Sequence, residues 1–318
     1  MGKRIVVVGS INLDLVASTE RIPSAGETVA GAEFQTFPGG KGANQAVAAA
    51  RLGSSVSMIG KLGNDAFGVQ LRENLTRAGV DTAGIGSVAV SSGVALITTD
   101  AHGENAITVV GGANACLDPG DLDANRGVLR EAGILLTQLE IPLETVEYLA
   151  VLAEREKIPL ILDPAPARPL FASLMRHVEW LTPNETEAAS LLGCSVGDLS
   201  GDRLGDAAEA LRSRGPRNVV LKLGNRGCFV ALSDETRQFI PAHRVQAVDT
   251  TAAGDAFNGA FASALMRGKD PVASADWASA VAAISVTRRG AQPSMPTAPE
   301  VDCFLAEKEA VAVVKGRQ

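Results

Sequence analysis

Arg4 to Ser10, RIVVVGS, is a continuous β-branched run closed by glycine, the pattern of a strand buried on both faces. Further along, apolar positions alternate between helical and extended spacing. KGANQAVAAARLG reads as a small-residue helix closed by Gly53, SVSMIGKLG as a strand and DAFGVQLRENLTRAG as an amphipathic helix. The rhythm continues through AGILLTQLE (strand), LETVEYLAVLAEREK (helix), IPLILDPAP (strand), VEWLTPN (short strand), ETEAASLLG and AAEALRSRG (helices) and NVVLKLG (strand). RQFIPAHRVQAV supplies one or two strands. Phe257, Ala260, Phe261, Ala264 and Leu265 then recur at three- and four-residue spacing before Gly268, which marks a helix and its stop. Alternating strands and helices predict an α/β fold: a doubly wound, mostly parallel sheet flanked by helices on both faces.

Two segments break this rhythm. LVASTERIPSAGETVAGAEFQTFPGG and SSGVALITTDAHGENAITVVGGAN carry Pro/Gly punctuation and short strand-like runs but no helix. The second has the form of a hairpin, with DAHGEN between GVALITT and AITVV. Together they predict a small extra sheet over the end of the main one, with a pair of decorated surface loops as the alternative.

Composition narrows the class. The 318 residues are 46% hydrophobic and 20% charged, enough for a sizeable core in one large α/β domain or two smaller ones. A net charge of −7 without any Lys/Arg run argues against nonspecific nucleic-acid binding, so an anionic ligand needs a local site. Cys116, Cys194, Cys228 and Cys303 are scattered without a CxxC pair, which fits reduced thiols in a cytoplasmic protein. The apolar run in MGKRIVVVGS is too short for a signal peptide, and ASAVAAISV is too short to span a membrane.

In open parallel sheets ligands bind beyond the carboxyl ends of the strands, so polar residues just after predicted strands are the candidates. Asn12 and Asp14 follow the first strand two residues apart, and on extended backbone both point to one side. An amide and a carboxylate together suit adjacent hydroxyls; an Asx turn is the plain alternative. GGKGANQ puts three glycines around Lys41 before a helix, with Asn44 in its first turn, and Glu140 ends the strand TQLE. Asn184 and Glu187 open a helix and suit a phosphate or hydrated Mg²⁺, although Asn184 is equally a good N-cap. LGNRG is a glycine-bounded turn after a strand, compatible with a simple hairpin. Asp255 follows Ala-Ala-Gly in a first helical turn, beside unpaired backbone N–H groups, where a lone acid would complement the helix dipole. No G-x-x-x-x-G-K-S/T, no G-x-G-x-x-G after the first strand and no HExxH is present, which disfavours a P-loop protein, a dinucleotide enzyme and a zinc hydrolase.

GSINLD, PGGKGANQAVAAARLG, LEIP, DPAPA, TPNETEA, LGNRG, DTTAAGDAFNGA and RRGAQPSMP stand in the order and spacing seen in ribokinases. From about residue 4 to residue 305 the chain resembles this group of the phosphofructokinase-B-type sugar kinases, the GGKGAN block and DTxAAGD being highly specific in combination. The resemblance implies a single ribokinase-like domain over 1–318, with a β lid at about 14–38 and 92–112 that pairs two subunits. It implies ATP-dependent conversion of D-ribose to ribose 5-phosphate with Mg²⁺ and activation by K⁺. Asp255 takes the family's catalytic-base position, and Ala252, Ala253 and Gly254 its anion hole. Asn12, Asp14, Gly40, Lys41, Gly42, Asn44 and Glu140 match the sugar contacts. Asn184, Lys222, Gly224, Gly227, Gly254 and Ser279 match the ATP site, with Glu187 near Mg²⁺ through water. Asp249, Thr251, Ser285, Arg288, Gly290 and Ser294 match the K⁺ site, several through backbone carbonyls. Two positions depart: Ser279 stands where some ribokinases carry His, and Lys222 where Thr is frequent. A sister specificity for deoxyribose, fructose or a nucleoside is the nearest alternative, and a non-catalytic sugar sensor a more distant one.

Overall fold

In the computed structural model, residues 3–315 are described except 103 and 202, with side chains as far as residue 308. The first strand, β1 (Arg4–Val8), sends Ile5 and Val7 into one hydrophobic core and Val6 and Val8 into another, each side chain 0% exposed. Burial on both faces is why this stretch is unbroken in its apolar character. The other strands are β2 (Asn12–Thr19), β3 (Gly31–Gly39), β4 (Val56–Gly63), β5 (Val80–Val88), β6 (Gly93–Thr99), β7 (Asn105–Val110), β8 (Ala132–Thr137), β9 (Leu160–Leu162), β10 (Trp180–Leu181), β11 (Asn218–Lys222), β12 (Gly227–Ala231) and β13 (Arg237–Pro241).

The main sheet has the order β13-β12-β11-β10-β9-β8-β1-β4-β5. It is parallel from β11 to β5, and β12 and β13 add an antiparallel edge. The helices Lys41–Arg51, Ala253–Met266 and Pro271–Ser285 pack on one face, and Leu143–Glu156, Glu185–Leu192 and Arg203–Arg212 on the other. The doubly wound architecture is therefore the observed one. The two irregular segments form the second sheet, of order β3-β2-β6-β7, in which β2 and β6 run parallel. It leaves apolar side chains exposed on both faces: Phe34, 66% exposed, stands on the face of Ala17 and Thr98, and Ile107 and Val109, 55% and 54% exposed, stand on the opposite face, that of Asp14 and Val16.

One packing contact positions the site. Gly259, in the helix Ala253–Met266, lies so close to the helix Lys41–Arg51 that a Cβ there would fall 2.6 Å from the Gln45 carbonyl oxygen and 2.7 Å from Ala48 Cβ. This close approach of the second turns brings the starts of two helices, distant in sequence, side by side.

Several elements differ from expectation. Val80–Val88 is an edge strand, with its polar and glycine positions alternating irregularly between solvent and core. Gly227–Ala231 is a strand as well, so LGNRG is the turn of the β11–β12 hairpin. RQFIPAHRVQAV contributes only β13, and the rest crosses to residue 249 without a strand. Short helices cover Pro119–Ala124 and Arg126–Arg130. Gly103 of the DAHGEN turn and the first two residues of MGKRIVVVGS lie outside the described residues. Among the described residues no helix is long and apolar enough to cross a membrane.

Candidate active site

At the carboxyl end of β1, Gly9–Ile11 lead directly into β2, so Asn12 and Asp14 stand where the two sheets meet. Asn12 is 4% exposed, and its Oδ1 accepts a 2.6 Å hydrogen bond from Asn114 Nδ2. Gly40 has φ 86°, and a Cβ on it would lie 2.7 Å from the Asn12 nitrogen; only glycine lets the helix Lys41–Arg51 begin against this turn. Glu140 Oε2 accepts from Ser10 Oγ at 2.6 Å and from the Lys41 amide at 3.1 Å, while the Gly42 amide donates to Ser10 Oγ at 3.3 Å. Asn12, Asp14, Gly40, Lys41, Gly42, Asn44 and Glu140 are thus gathered around one junction.

The charges there are mutually dependent. Burial, and then the negative charges of Glu140 and Asp255, push Asp14 up to about 7. Burial alone would lower Lys41, but the negative charges of Asp255, Asp163, Glu140 and Glu187 outweigh it and raise its pKa.

Asp255 opens the helix Ala253–Met266. Ala252 is left-handed at φ 59° and no side chain caps the helix, so the amides of Gly254 and Asp255 have no acceptor further up the helix. The Asp255 carboxylate is buried, accepting from Asn44 Nδ2 at 3.0 Å on Oδ2 and from Gln45 Nε2 at 3.1 Å on Oδ1. Burial pushes it up to about 6; the positive charge of Lys41 and the two amide donors pull the other way, while Asp163 adds to the rise. A carboxyl poised near neutrality and held by two side-chain amides suits proton acceptance.

A cavity of about 510 Å³ adjoins the other side of this helix start, lined by Ala253, Gly254, Lys222, Gly224, Gly227 and Ser279 together with Ala242–Val245 and Val286. The hairpin turn and the helix N-terminus therefore face one volume, which suits an anion followed by a flat apolar group. Asn184 and Glu187 stand at the start of the helix Glu185–Leu192 in a reciprocal cap: the Asn184 amide donates to Glu187 Oε2 at 2.7 Å, and the Glu187 amide to Asn184 Oδ1 at 2.8 Å. The N-cap role of Asn184 is therefore observed. Burial raises the pKa of Glu187, with the positive charge of Lys222 opposing.

Asp249 ties together the loop that precedes Ala252. Its Oδ1 accepts from the Thr251 amide at 2.9 Å and its Oδ2 from the Gly290 amide at 2.8 Å. Burial would raise its pKa, but these donors outweigh burial and hold it below the usual carboxylate range. The side chains of Ser285, Arg288 and Ser294 are engaged elsewhere: Ser285 Oγ donates to Ala282 O, Ser294 Oγ to Ala291 O, and Arg288 pairs with Glu300 at 2.6 Å. Among the described residues no group of three His, Cys, Asp or Glu side chains forms a metal cluster.

Several central residues escaped the sequence analysis. Gln45 Nε2 also donates to Asp163 Oδ2 at 3.0 Å, and Asp163 Oδ1 accepts from Lys222 Nζ at 2.9 Å. Gln292 Nε2 donates to Asn44 Oδ1 at 3.1 Å. Asp163 follows β9 directly, the same signal that singled out Glu140. Asn114 and Gln292 lie in short irregular turns and carry no local signal.

A family model described as pfkB family carbohydrate kinase matches residues 2–298. The chain is 43% identical over 306 residues to a ribokinase of Bacillus subtilis, covering 96% of this chain and 100% of that one. It is 38% identical over 307 residues to a deoxyribokinase of Salmonella typhi, covering 96% and 99% of the two chains. The structure of Arabidopsis thaliana ribokinase complexed with ribose and ATP superposes with a TM-score of 0.88 at 35% identity, over 96% of this chain and 99% of that one. With a buried first-turn acid between a polar junction and a cavity, and with the family model spanning nearly all of its length, the chain belongs to the pfkB family of carbohydrate kinases.

Proposed function

We propose that the protein is an ATP-dependent ribokinase that phosphorylates the 5-hydroxyl of D-ribose, giving ribose 5-phosphate and ADP. The observation that carries this is the position of Asp255: its carboxylate meets Asn44 and Gln45 on the polar side, while Ala253 and Gly254 just before it line the cavity. Sugar and nucleotide would meet across one helix turn.

In this reading Asn12, Asp14, Glu140, Lys41, Asn44 and the backbone of Gly40 and Gly42 hold the sugar hydroxyls. The cavity takes the nucleotide, its phosphates towards Gly254 and its base towards Ser279. Asp255 removes the proton as the 5-oxygen attacks the γ-phosphorus, and the bond from phosphorus to the ADP oxygen breaks. Amides of Ala252, Ala253 and Gly254 would face the charge that develops on the transferred group, the Ala253 amide giving up its 3.2 Å bond to the Thr250 carbonyl, and a preorganised donor of this kind is worth about 10²–10³ in turnover. Positioning and charge stabilisation are what phosphoryl transfer asks of a protein.

The residues also fit two cations. Asp249 and Thr251 would supply oxygen donors suited to K⁺, with Ser285, Arg288, Gly290 and Ser294 contributing backbone carbonyls, since their side chains are turned away or absent. Glu187, with both carboxylate oxygens taken by Asn184, would reach Mg²⁺ only through water. Bound Mg²⁺ would neutralise phosphate charge, and K⁺ would order the loop that carries Ala252. The chain would form one domain whose second sheet serves as a lid and as the contact of a cytoplasmic homodimer, which the exposed Phe34, Ile107 and Val109 support.

A coupled ADP-release assay across ribose, 2-deoxyribose, fructose and adenosine tests the assignment. Ribose should give the highest kcat/KM. Preference for deoxyribose, the sugar named for the Salmonella typhi relative, would replace ribose as substrate and leave the family placement intact.

A further inference from the structure

Of the cations around the site, Lys222 alone combines a place on the nucleotide cavity with a buried carboxylate partner. Its side chain is 12% exposed and that of Asp163 3%. An ion pair so deeply buried adds little or nothing to stability, because desolvation offsets the attraction. A stabilising role therefore does not account for it. Lys222 closes β11 just before the hairpin turn, and a Cβ placed on Gly254 would lie 3.4 Å from its Nζ. The ammonium is thus at the amides that precede Asp255.

The electrostatics call for a cation at that spot. Asp14, Glu140, Asp163, Glu187 and Asp255 crowd the site, and a polyphosphate must enter beside them. Lys41, the other ammonium in this group, does not line the cavity, whereas Lys222 does. The hairpin turn fixes Lys222 from one side and Asp163 from the other, so its charge is oriented before any ligand arrives.

We propose that Lys222 is a catalytic residue whose ammonium contacts the phosphoryl group in flight, while Asp163 serves as a positioning residue that aims Lys222 and, through Gln45, the base. The proposal rests on the kinase reading above. In the transfer the sugar oxygen bonds to phosphorus, the bond from phosphorus to the ADP oxygen breaks and Asp255 takes the proton. Lys222 forms no covalent bond; its N–H groups follow the negative charge on the equatorial oxygens. Gln45 Nε2, shared between Asp163 Oδ2 and Asp255 Oδ1, makes the aim of the cation and the aim of the base one geometric unit.

The test compares wild type, Lys222→Met, Lys222→Arg and Lys222→Met/Asp163→Asn in the ADP-release assay, with ADP affinity by calorimetry and Tm for each. The double variant removes the unpaired buried carboxylate that the single one leaves, so a folding defect is separated from a catalytic one. Lys222→Met should lower kcat by about 10²–10³, the usual worth of one preorganised charge-stabilising group, and leave ribose KM and ADP affinity within about threefold. Lys222→Arg should recover part of the loss, and the double variant should remain as slow as Lys222→Met. Near-normal kcat in Lys222→Met overturns the proposal. So does ADP affinity falling in step with kcat, which would make Lys222 a ground-state contact. Turnover restored in the double variant overturns it too, since Lys222 would then serve only to neutralise Asp163. A wild type that turns over none of the sugars overturns the kinase reading itself, an outcome distinct from all of these.

Discussion

Asn44 donates its Nδ2–H to Oδ2 of Asp255 at 3.0 Å across 211 residues of sequence. The bond joins the first turns of two helices held together by Gly259, and Gln45 Nε2 holds the other carboxylate oxygen at 3.1 Å. A carboxylate bound this way is restrained in orientation, and its charged form is favoured over what burial alone would allow.

The pH profile follows. Asp255 accepts a proton only when ionised, so kcat should fall as pH drops through about 6, the value to which burial raises it. Removing the amide with Asn44→Ala takes away a bond to the charged form, and the acid limb should move to higher pH. Asp255→Asn should lower kcat by about 10²–10⁴. Because the folded pKa lies above the unfolded one, the ionised group opposes folding above pH 6, and the Asn variant should melt no lower than wild type at pH 8. A profile unchanged in Asn44→Ala would detach this amide from the base.

Asp14 carries the same sign further. With a folded pKa of about 7, it binds its proton more tightly in the native state, so its contribution to stability declines as pH rises from about 4 to about 7 and stays unfavourable above. Asp14→Asn should therefore raise Tm at pH 8 and lose that advantage by pH 4. Ribose affinity should fall at least about tenfold, the loss expected for one hydrogen bond to a charged group, with ATP affinity nearly unchanged. Calorimetry with ribose, alongside melting curves at both pH values, checks both halves.

Replacing K⁺ with Na⁺ or Li⁺ at constant ionic strength should lower kcat. Asp249→Ala removes the acceptor of the Thr251 and Gly290 amides and should weaken the response to the cation. Indifference of wild-type turnover to the monovalent ion would remove these residues from any cation site.

Phe34 on edge strand β3 and Ile107 on edge strand β7 are exposed apolar side chains on opposite faces of the second sheet, and both strands have unpaired backbone on one side. Light scattering at micromolar concentration should give the mass of a dimer, and Phe34→Asp or Ile107→Asp should shift it towards the monomer. Monomeric wild type would assign this surface to something other than a second copy.

Legibility followed burial. β1 and β8 were plain because both faces are covered, and the helix Ala253–Met266 because its apolar spacing is regular. β5 was not, since VDTAGIGSV mixes Asp81, Thr82 and Ser87 with glycine at a sheet edge where only Val80, Gly84 and Ile85 are buried. In the site, Asp255 and Asn12 stood out as polar residues at element starts. The links between them did not: Gln45 touches Asp163, Asp255 and Gln138 only because two helices and two strands converge. Lys222 was visible as a departure from a frequent Thr, whereas its partner Asp163 stood inside the predicted strand IPLILDPAP, which in the structure ends one residue earlier at Leu162.

Gln292 holds Asn44, which holds Asp255, so the cradle of the acid is closed by a residue near the chain's far end. During synthesis Asn12, Asp14, Lys41 and Asn44 leave the ribosome long before Asp255. The emerging chain has a sheet centre early and no working site until its last quarter has been made, and ribosome-stalled fragments ending before residue 249 should neither transfer phosphate nor hydrolyse ATP.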